Sequence, residues 1–455
     1  MRNSELTELY LREAAGRGMA PGDLIDVARR EIDLGATTYF DRCMTRPVFL
    51  GDAERGQLAA DLENLFQALT ALPDRLFGGD FAAFARAVGL TEDQVTAAQR
   101  ARTPTPTRLA RADLYPESSG FRLMELNMGS TTGGGDNAML NRAMLAHPVL
   151  AEFVRAHSLS YVDTMAEQVK TLMADCDLSA NDGALVAAVD WPPAVEEFSA
   201  VLWTSAAEVA KMGIDLVPCH LGHLSMHDHR VWLDGRPVDV IYRIFLIEDL
   251  LHPDGPRLID PVLRAVERGE VKIFTPVDSE MFGSKGALAM LSDEANRHLC
   301  TAAELASLDR LLPWTRFARS GPVTVDGERV DLLEYATAQR ENLILKPTAM
   351  HGGLGVTPGW LTDAQAWDER LRASLDGAWV LQRRVRPVPE LFQGEGGLEP
   401  WVLTWGAFLC GSGSGGMWVR GTTDPDTGGI NMHTGASATC CFHEEAPVSP
   451  AAAGR

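Results

Sequence analysis

The sequence predicts an α/β protein, with strands and helices interleaved from residue 106 onward behind a helical N-terminal region. Three observations carry that prediction. Residues 184–219 run as an apolar stretch over 184–190, a helical stretch from Ala194 and a second apolar stretch over 214–218, the succession of an open α/β unit. Residues 109–113 and 122–129 set their polar side chains two apart, as neighbouring strands do. At 343–346 three apolar residues end in Lys346, and a glycine-rich loop follows.

Along the chain, residues 1–105 read as helices, because Leu58, Leu62, Leu65 and Leu69 recur at helical spacing among Asp61, Glu63 and Asn64. A Thr-Pro alternation over 103–107 breaks that pattern. Residues 106–180 start with the two polar strands, pass through a turn-rich loop at 130–136 and continue as helices to about 178. The open α/β unit fills 181–275, and within it Asp234-Gly235 marks a hairpin turn. Residues 276–385 hold two lysines in small-residue or strand contexts. Residues 386–455 close the chain with a glycine-rich strand pair around 411–420 and 429–441, and a tail of Ala, Pro and Gly expected to be disordered.

The chemistry concentrates in two places. Arg111 and Asp113 on one predicted strand, and Glu125 and Asn127 on the next, project from single faces, so Asp113, Glu125 and Asn127 can share one ion. Two carboxylates and an amide oxygen suit Mg²⁺, which takes hard oxygen ligands and keeps positions for phosphate and water. More than two hundred residues later, Lys346 precedes Gly352, Gly353 and Gly355, whose backbone N–H groups can approach phosphate oxygens closely. Lys285 follows Gly283-Ser284, and the strand at 378–383 offers backbone at Leu381 and Gln382 to bracket an adenine. Lysine occurs only at 170, 211, 272, 285 and 346. Where arginine supplies nearly all other positive charge, a retained lysine points to a need for its compact ammonium.

These residues resemble the circularly permuted ATP-grasp ligases, a group similar to the synthetase domain of glutathionylspermidine synthase. The motifs that carry the resemblance are Arg111-x-Asp113 with Glu125-x-Asn127, then Ser284-Lys285, Lys346-Pro347 and Gly352-Gly353-x-Gly355-Val356. Residues 238–243 resemble a strand these proteins carry ahead of the grasp. The resemblance implies metal strands first and nucleotide lobe later: a helical region (1–105), the permuted metal-binding part of the C-terminal lobe (106–180), a pre-ATP-grasp α/β domain (181–275), the nucleotide lobe (276–385) and the rest of the C-terminal lobe (386–455). It further implies ATP and Mg²⁺ as cofactors, a small-molecule or peptide carboxylate donor and an amine acceptor. The implied product is an amide or peptide bond formed through an acyl phosphate, as in bacterial peptide natural-product (antibiotic) biosynthesis. In that scheme Lys285 and Lys346 hold the α and β phosphates, the 352–355 loop covers the γ-phosphate, and Arg111 stabilises the transferring group. Acceptor specificity is expected from residues 1–100 and 383–397. A phosphotransferase, or a nucleotide-binding protein without activity, are the alternatives.

Composition agrees. The 455 residues carry 62 acidic against 41 basic side chains, a net charge of −21 that repels nucleic acid and anionic membranes. No apolar stretch nears the roughly 20 residues that span a bilayer, and the charged N-terminus lacks a signal core. Seven cysteines without paired spacing indicate reduced thiols and a cytoplasmic protein. Cys219, His220, His223, His227 and His229 invite a zinc reading, but strand pairing through the Asp234-Gly235 turn accounts for the run. Cys440-Cys441 reads as core, and Arg420 as a contact to phosphate or substrate carboxylate.

Overall fold

A computed structural model describes residues 3–103, 105–394 and 396–445, so most of the expected C-terminal tail lies outside the described residues. The fold is mixed α/β, built on three larger sheets. The largest orders its main strands as Val48–Leu50, Ser437–Glu444, Gly413–Thr422, Gly397–Cys410, Ala110–Glu117 and Gly120–Met128. Its neighbours are antiparallel except Val48–Leu50, which runs parallel to Ser437–Glu444. The two ends of the chain therefore meet in one sheet. The N-terminal region is mostly helical, as its periodicity predicts, but Val48–Leu50 and the helices around it share cores with that sheet.

The two polar strands form a hairpin whose faces differ. Ala110, Ala112, Leu114, Leu126 and Met128 enter the main core, while Arg111, Asp113 and Asn127 are buried on the opposite face. Asp113 pairs with Glu125 and Arg111 with Asn127, which brings all four polar side chains together. Leu114 then pairs with Leu123, so Met124 is an extra residue, a bulge in the ladder.

A parallel sheet of Lys272–Phe274, Val240–Arg243, Leu185–Asp190 and Asp215–His220 forms the α/β unit. Beside it, Ser225–His227, Arg230–Leu233 and Arg236–Pro237 make the expected hairpin, with Asp234 and Gly235 both in the left-handed region that the turn needs. The third sheet is antiparallel and orders Thr315–Phe317, Trp379–Arg383, Leu343–Pro347 and Thr357–Pro358. Leu343, Leu345, Leu381 and Trp367 pack its own small core. All seven cysteines are unpaired. Among the described residues no helix is long and apolar enough to cross a membrane.

Candidate active site

On the hairpin, Arg111 grips Asp113 with two parallel bonds, Nε to Oδ1 at 2.9 Å and Nη2 to Oδ2 at 3.0 Å. Its Nη1 donates to the Thr132 carbonyl, so every guanidinium nitrogen is engaged. Arg420 arrives from Gly413–Thr422, with Nη2 2.7 Å from Asp113 Oδ1, although neither its Nε nor its Nη2 is aligned in a hydrogen bond. Asn127 Nδ2 donates to Asp113 Oδ2 at 3.2 Å and reaches Glu125 Oε1 at 3.5 Å. Burial alone would push Asp113 up; the two arginines outweigh it and hold the carboxyl near 2. Burial likewise opposes ionisation of Glu125, but Lys285 and Lys346, with Arg111, bring its pKa below the ordinary value despite the nearby Asp113. Both carboxylates are charged at neutral pH.

The lysines face this hairpin from the other side of a cleft. Ile344 and Lys346 share the strand face opposite Leu343 and Leu345, so the apolar residues fill the small core and Lys346 points into the cleft. Its Nζ donates to Gln382 Oε1 at 2.7 Å and to the carbonyl of bulged Met124 at 3.1 Å. The irregularity in the hairpin thus supplies the acceptor that ties the two sheets together. Burial drives the Lys346 pKa down to about 8, with Glu125 resisting the fall and Lys285 adding to it. Lys285 is set by a cap: Ser284 Oγ accepts from Ala287 N at 3.1 Å and starts the helix Lys285–Ser292, a contact worth about 1 kcal/mol. Lys285 Nζ lies 3.6 Å from Glu125 Oε2 and donates to the Met350 carbonyl at 2.8 Å, at the foot of the glycine loop.

In that loop Gly352, Gly353 and Gly355 all have positive φ, which L side chains rarely adopt. His351 anchors it through a 2.6 Å bond between Nδ1 and Glu248 Oε1. Burial opposes the charge on His351, yet Glu248 raises its pKa; burial opposes the charge on Glu248, yet His351 lowers its pKa. Glu248, Glu280 and His351 form a cluster of potential ligands. Glu280 is already bound to Arg243 and the Ile247 amide, which leaves it poorly placed to serve a cation. Sequence reasoning missed this latch, because its two halves lie 103 residues apart.

Between the sheets lies a cavity of about 510 Å³, lined among others by Asp113, Glu125, Lys346, Gly352, Gln382 and Arg420. That volume is in the range of small-molecule sites. Trp360, with the Arg384 guanidinium 4.1 Å from its ring centroid, and the run Arg383–Arg386 border the end away from the hairpin. Five expected site residues do not line this cavity: Lys285 and Asn127, which reach it only through Glu125, and Leu381, Gly355 and Arg111. The Leu381 side chain is wholly buried in the small core, so only its backbone neighbours the cleft strand. Gly355 packs against Pro347 and Trp379, behind the cavity wall. Arg111 lies beneath Asp113 with its N–H groups spent on that carboxylate and Thr132; at the hairpin end Arg420 borders the cavity. Among the described residues His220, His223, His227 and His229 form no cluster of three ligands: His220 and His223 stack at 3.4 Å, and His227 stacks on Trp232.

The donor set fits a hard divalent cation in part. Glu125 and Asn127 lie two apart on one strand face, and the Asn127 amide oxygen reaches the same region as its nitrogen by a half-turn of the terminal torsion. Asp113 differs from expectation. Three hydrogen bonds, two from Arg111 and one from Asn127, together with the Arg420 guanidinium at 2.7 Å, already occupy its oxygens.

No protein-family model matches the chain, and no curated protein sequence matches it. Among solved structures, a glutathione synthetase like-effector from Globodera pallida in its apo form shares the fold, with a TM-score of 0.55 at 12% identity, covering 97% of this chain and 97% of that one. A candidate gamma-glutamylcysteine synthetase from Methylobacillus flagellatus overlaps with a TM-score of 0.43 at 13% identity, covering 85% of this chain and 88% of that chain.

Proposed function

We propose that the protein is an ATP-dependent carboxylate–amine ligase of the circularly permuted ATP-grasp kind, forming an amide through an acyl phosphate. The observation that carries this reading is the charge arrangement of the cleft. Arg111, Arg420, Lys285 and Lys346 surround the carboxylates of Asp113 and Glu125, which places four cationic side chains around two acidic ones beside a glycine loop. A polyphosphate neutralises such a surplus, and the likeness to a glutathione synthetase like-effector is compatible with it.

In this reading ATP lies along the cleft, adenine near Gln382 and Arg383–Arg386, phosphates toward the hairpin. Lys346 and Lys285 hold the phosphates, and the amides of 352–353 cover the terminal one. Glu125 and Asn127 would hold Mg²⁺, which would supply charge neutralisation for the phosphates. Arg420 faces the transferring phosphoryl group and the later tetrahedral carbon, where a preorganised guanidinium favours developing negative charge. Arg111 fixes Asp113, and Asp113 fixes Arg420. The substrate carboxylate attacks the γ-phosphorus and ADP leaves; the amine then attacks the acyl carbon and phosphate leaves. Positioning and charge neutralisation supply most of the rate, and no covalent enzyme intermediate is needed.

Identification of the nucleotide product tests the reading. Incubation with Mg-ATP and panels of carboxylates and amines should release ADP only when both are present. ADP release with an alcohol or carboxylate alone as the final phosphoryl acceptor would indicate a phosphotransferase instead, and AMP would exclude both readings.

A further inference from the structure

A second cavity, of about 190 Å³, lies behind the 130–136 loop, between that loop, the parallel sheet and the helices Thr164–Asp175 and Ser199–Ala210. Its walls are almost entirely apolar. Ala188, Pro218, Tyr242 and Phe274 contribute one face of the parallel sheet, since Tyr242 pairs with Ala188 and Phe274, and Ala188 with Pro218. Val169 and Val209 close it from the helices.

The lining holds one carboxyl, Asp136, and no Lys, Arg or His. Asp136 accepts two bonds from Thr38, and burial pushes its carboxyl pKa up. Ser130 and Thr132 spend their hydroxyls on the Arg243 and Gly129 carbonyls. Three polar groups are left over: the Tyr242 hydroxyl, the Gln168 amide and the Ser205 hydroxyl line the cavity and have no hydrogen-bond partner among the described residues. An apolar chamber with a few convergent neutral polar groups is a pattern typical of small-molecule sites.

Its place beside the cleft is fixed by the loop. The Thr132 carbonyl, on the wall of this chamber, takes Arg111 Nη1, and Arg111 holds Asp113 on the wall of the nucleotide cavity. Gly134 lies against Trp418, over whose ring both Arg111 and Arg420 sit; a Cβ at Gly134 would come 2.4 Å from that indole. The 130–136 loop thus lines the apolar chamber and, through Arg111 and Asp113, adjoins the cationic cleft.

We propose that this chamber receives the uncharged, apolar side chain or acyl group of the carboxylate substrate, while the carboxylate itself extends past the loop toward Arg420. The proposal rests on the ligase reading for the carboxylate's destination; the chamber's selectivity follows from its own walls. Its volume is below the roughly 300 Å³ at which whole-ligand sites begin, so it suits a side chain rather than an entire metabolite. Tyr242 and Gln168 would then bond a neutral amide or carbonyl near the root of that group.

Calorimetry of the full chain with N-acetyl-leucine, N-acetyl-phenylalanine, N-acetyl-aspartate and N-acetyl-lysine, each with the non-hydrolysable analogue AMP-PNP present, tests it. The two apolar compounds should bind at least tenfold more tightly than the charged ones. Ser205→Phe, which fills the chamber from the helix side, should remove that preference while AMP-PNP affinity stays at the wild-type value. Tyr242→Phe, a smaller change, should weaken the apolar compounds several-fold without loss of folding. Equal binding of charged and apolar compounds, absence of binding by all four, or unchanged preference in Ser205→Phe would overturn the proposal. Failure of AMP-PNP to bind the wild type would instead overturn the ligase reading and leave the selectivity measurement to stand on its own.

Discussion

Lys346→Met separates the functional role of this lysine from a structural one, because the two roles predict opposite effects on stability. The methionine keeps an unbranched stem of similar length and removes the ammonium. In the wild type, burial lowers the Lys346 pKa from 10.5 to about 8, a cost to the charged form of roughly 3 kcal/mol. Against that stand two hydrogen bonds, to Gln382 and the Met124 carbonyl, each contributing on the order of 1–2 kcal/mol with a charged donor. The variant should therefore unfold at a denaturant midpoint equal to or above that of the wild type at pH 7. Nucleotide binding should move the other way: a charge-assisted phosphate contact is worth about 2 kcal/mol, so AMP-PNP affinity should fall roughly 30-fold. The sign with pH follows from the lowered pKa. Between about pH 8 and 10.5 the folded chain has released this proton while the unfolded chain retains it, so the cost fades as pH rises and the stability gap between variant and wild type should close. A clearly destabilised variant with unchanged nucleotide affinity would refute the argument.

Glu125→Gln should leave folding intact and abolish turnover, measured as ADP release; wild-type activity would remove Glu125 from the cation site. Arg420→Lys keeps the charge but loses the planar fork, so kcat should fall more than apparent ATP affinity; an equal fall in both would count against the role. Histidine NMR should place the His351 titration above its ordinary 6.5, with Glu248→Gln bringing it down. Glu248 and His351 hold the loop as an ion pair from the lowered pKa of Glu248 up to the raised pKa of His351, with Glu280 and Lys285 also facing the ring. Hydrogen exchange at 352–355 should accordingly quicken as pH rises through the His351 titration, and a rate that merely follows base catalysis would count against the latch.

Both halves of the site were legible in sequence because each is local: residues two apart on a strand must share a face, and three apolar residues before Lys346 must pack somewhere. The open α/β unit and the Asp234-Gly235 turn followed from the same short-range rules. What was not legible depends on long-range pairing. Arg420 meets Asp113 only because Gly397–Cys410 lies between their strands in the large sheet, and nothing in the spacing of 113 and 420 announces it. The same holds for His351 with Glu248 and for Val48–Leu50, a three-residue strand too short to break the helical periodicity around it. Leu381 was read as offering its backbone to an adenine; which way its side chain faces was not legible, and beside Leu345 it lies in the small core.

Oxygen transfer tests the ligase reading most directly. The enzyme is supplied with Mg-ATP, an amine acceptor and a carboxylate donor labelled with ¹⁸O in both oxygens, and the released phosphate is analysed by mass spectrometry. If the carboxylate attacks phosphorus before the amine displaces it, one ¹⁸O per turnover appears in phosphate and the amide keeps the other. Unlabelled phosphate with both labels retained in the organic product, or AMP and pyrophosphate in place of ADP, would contradict the acyl-phosphate account.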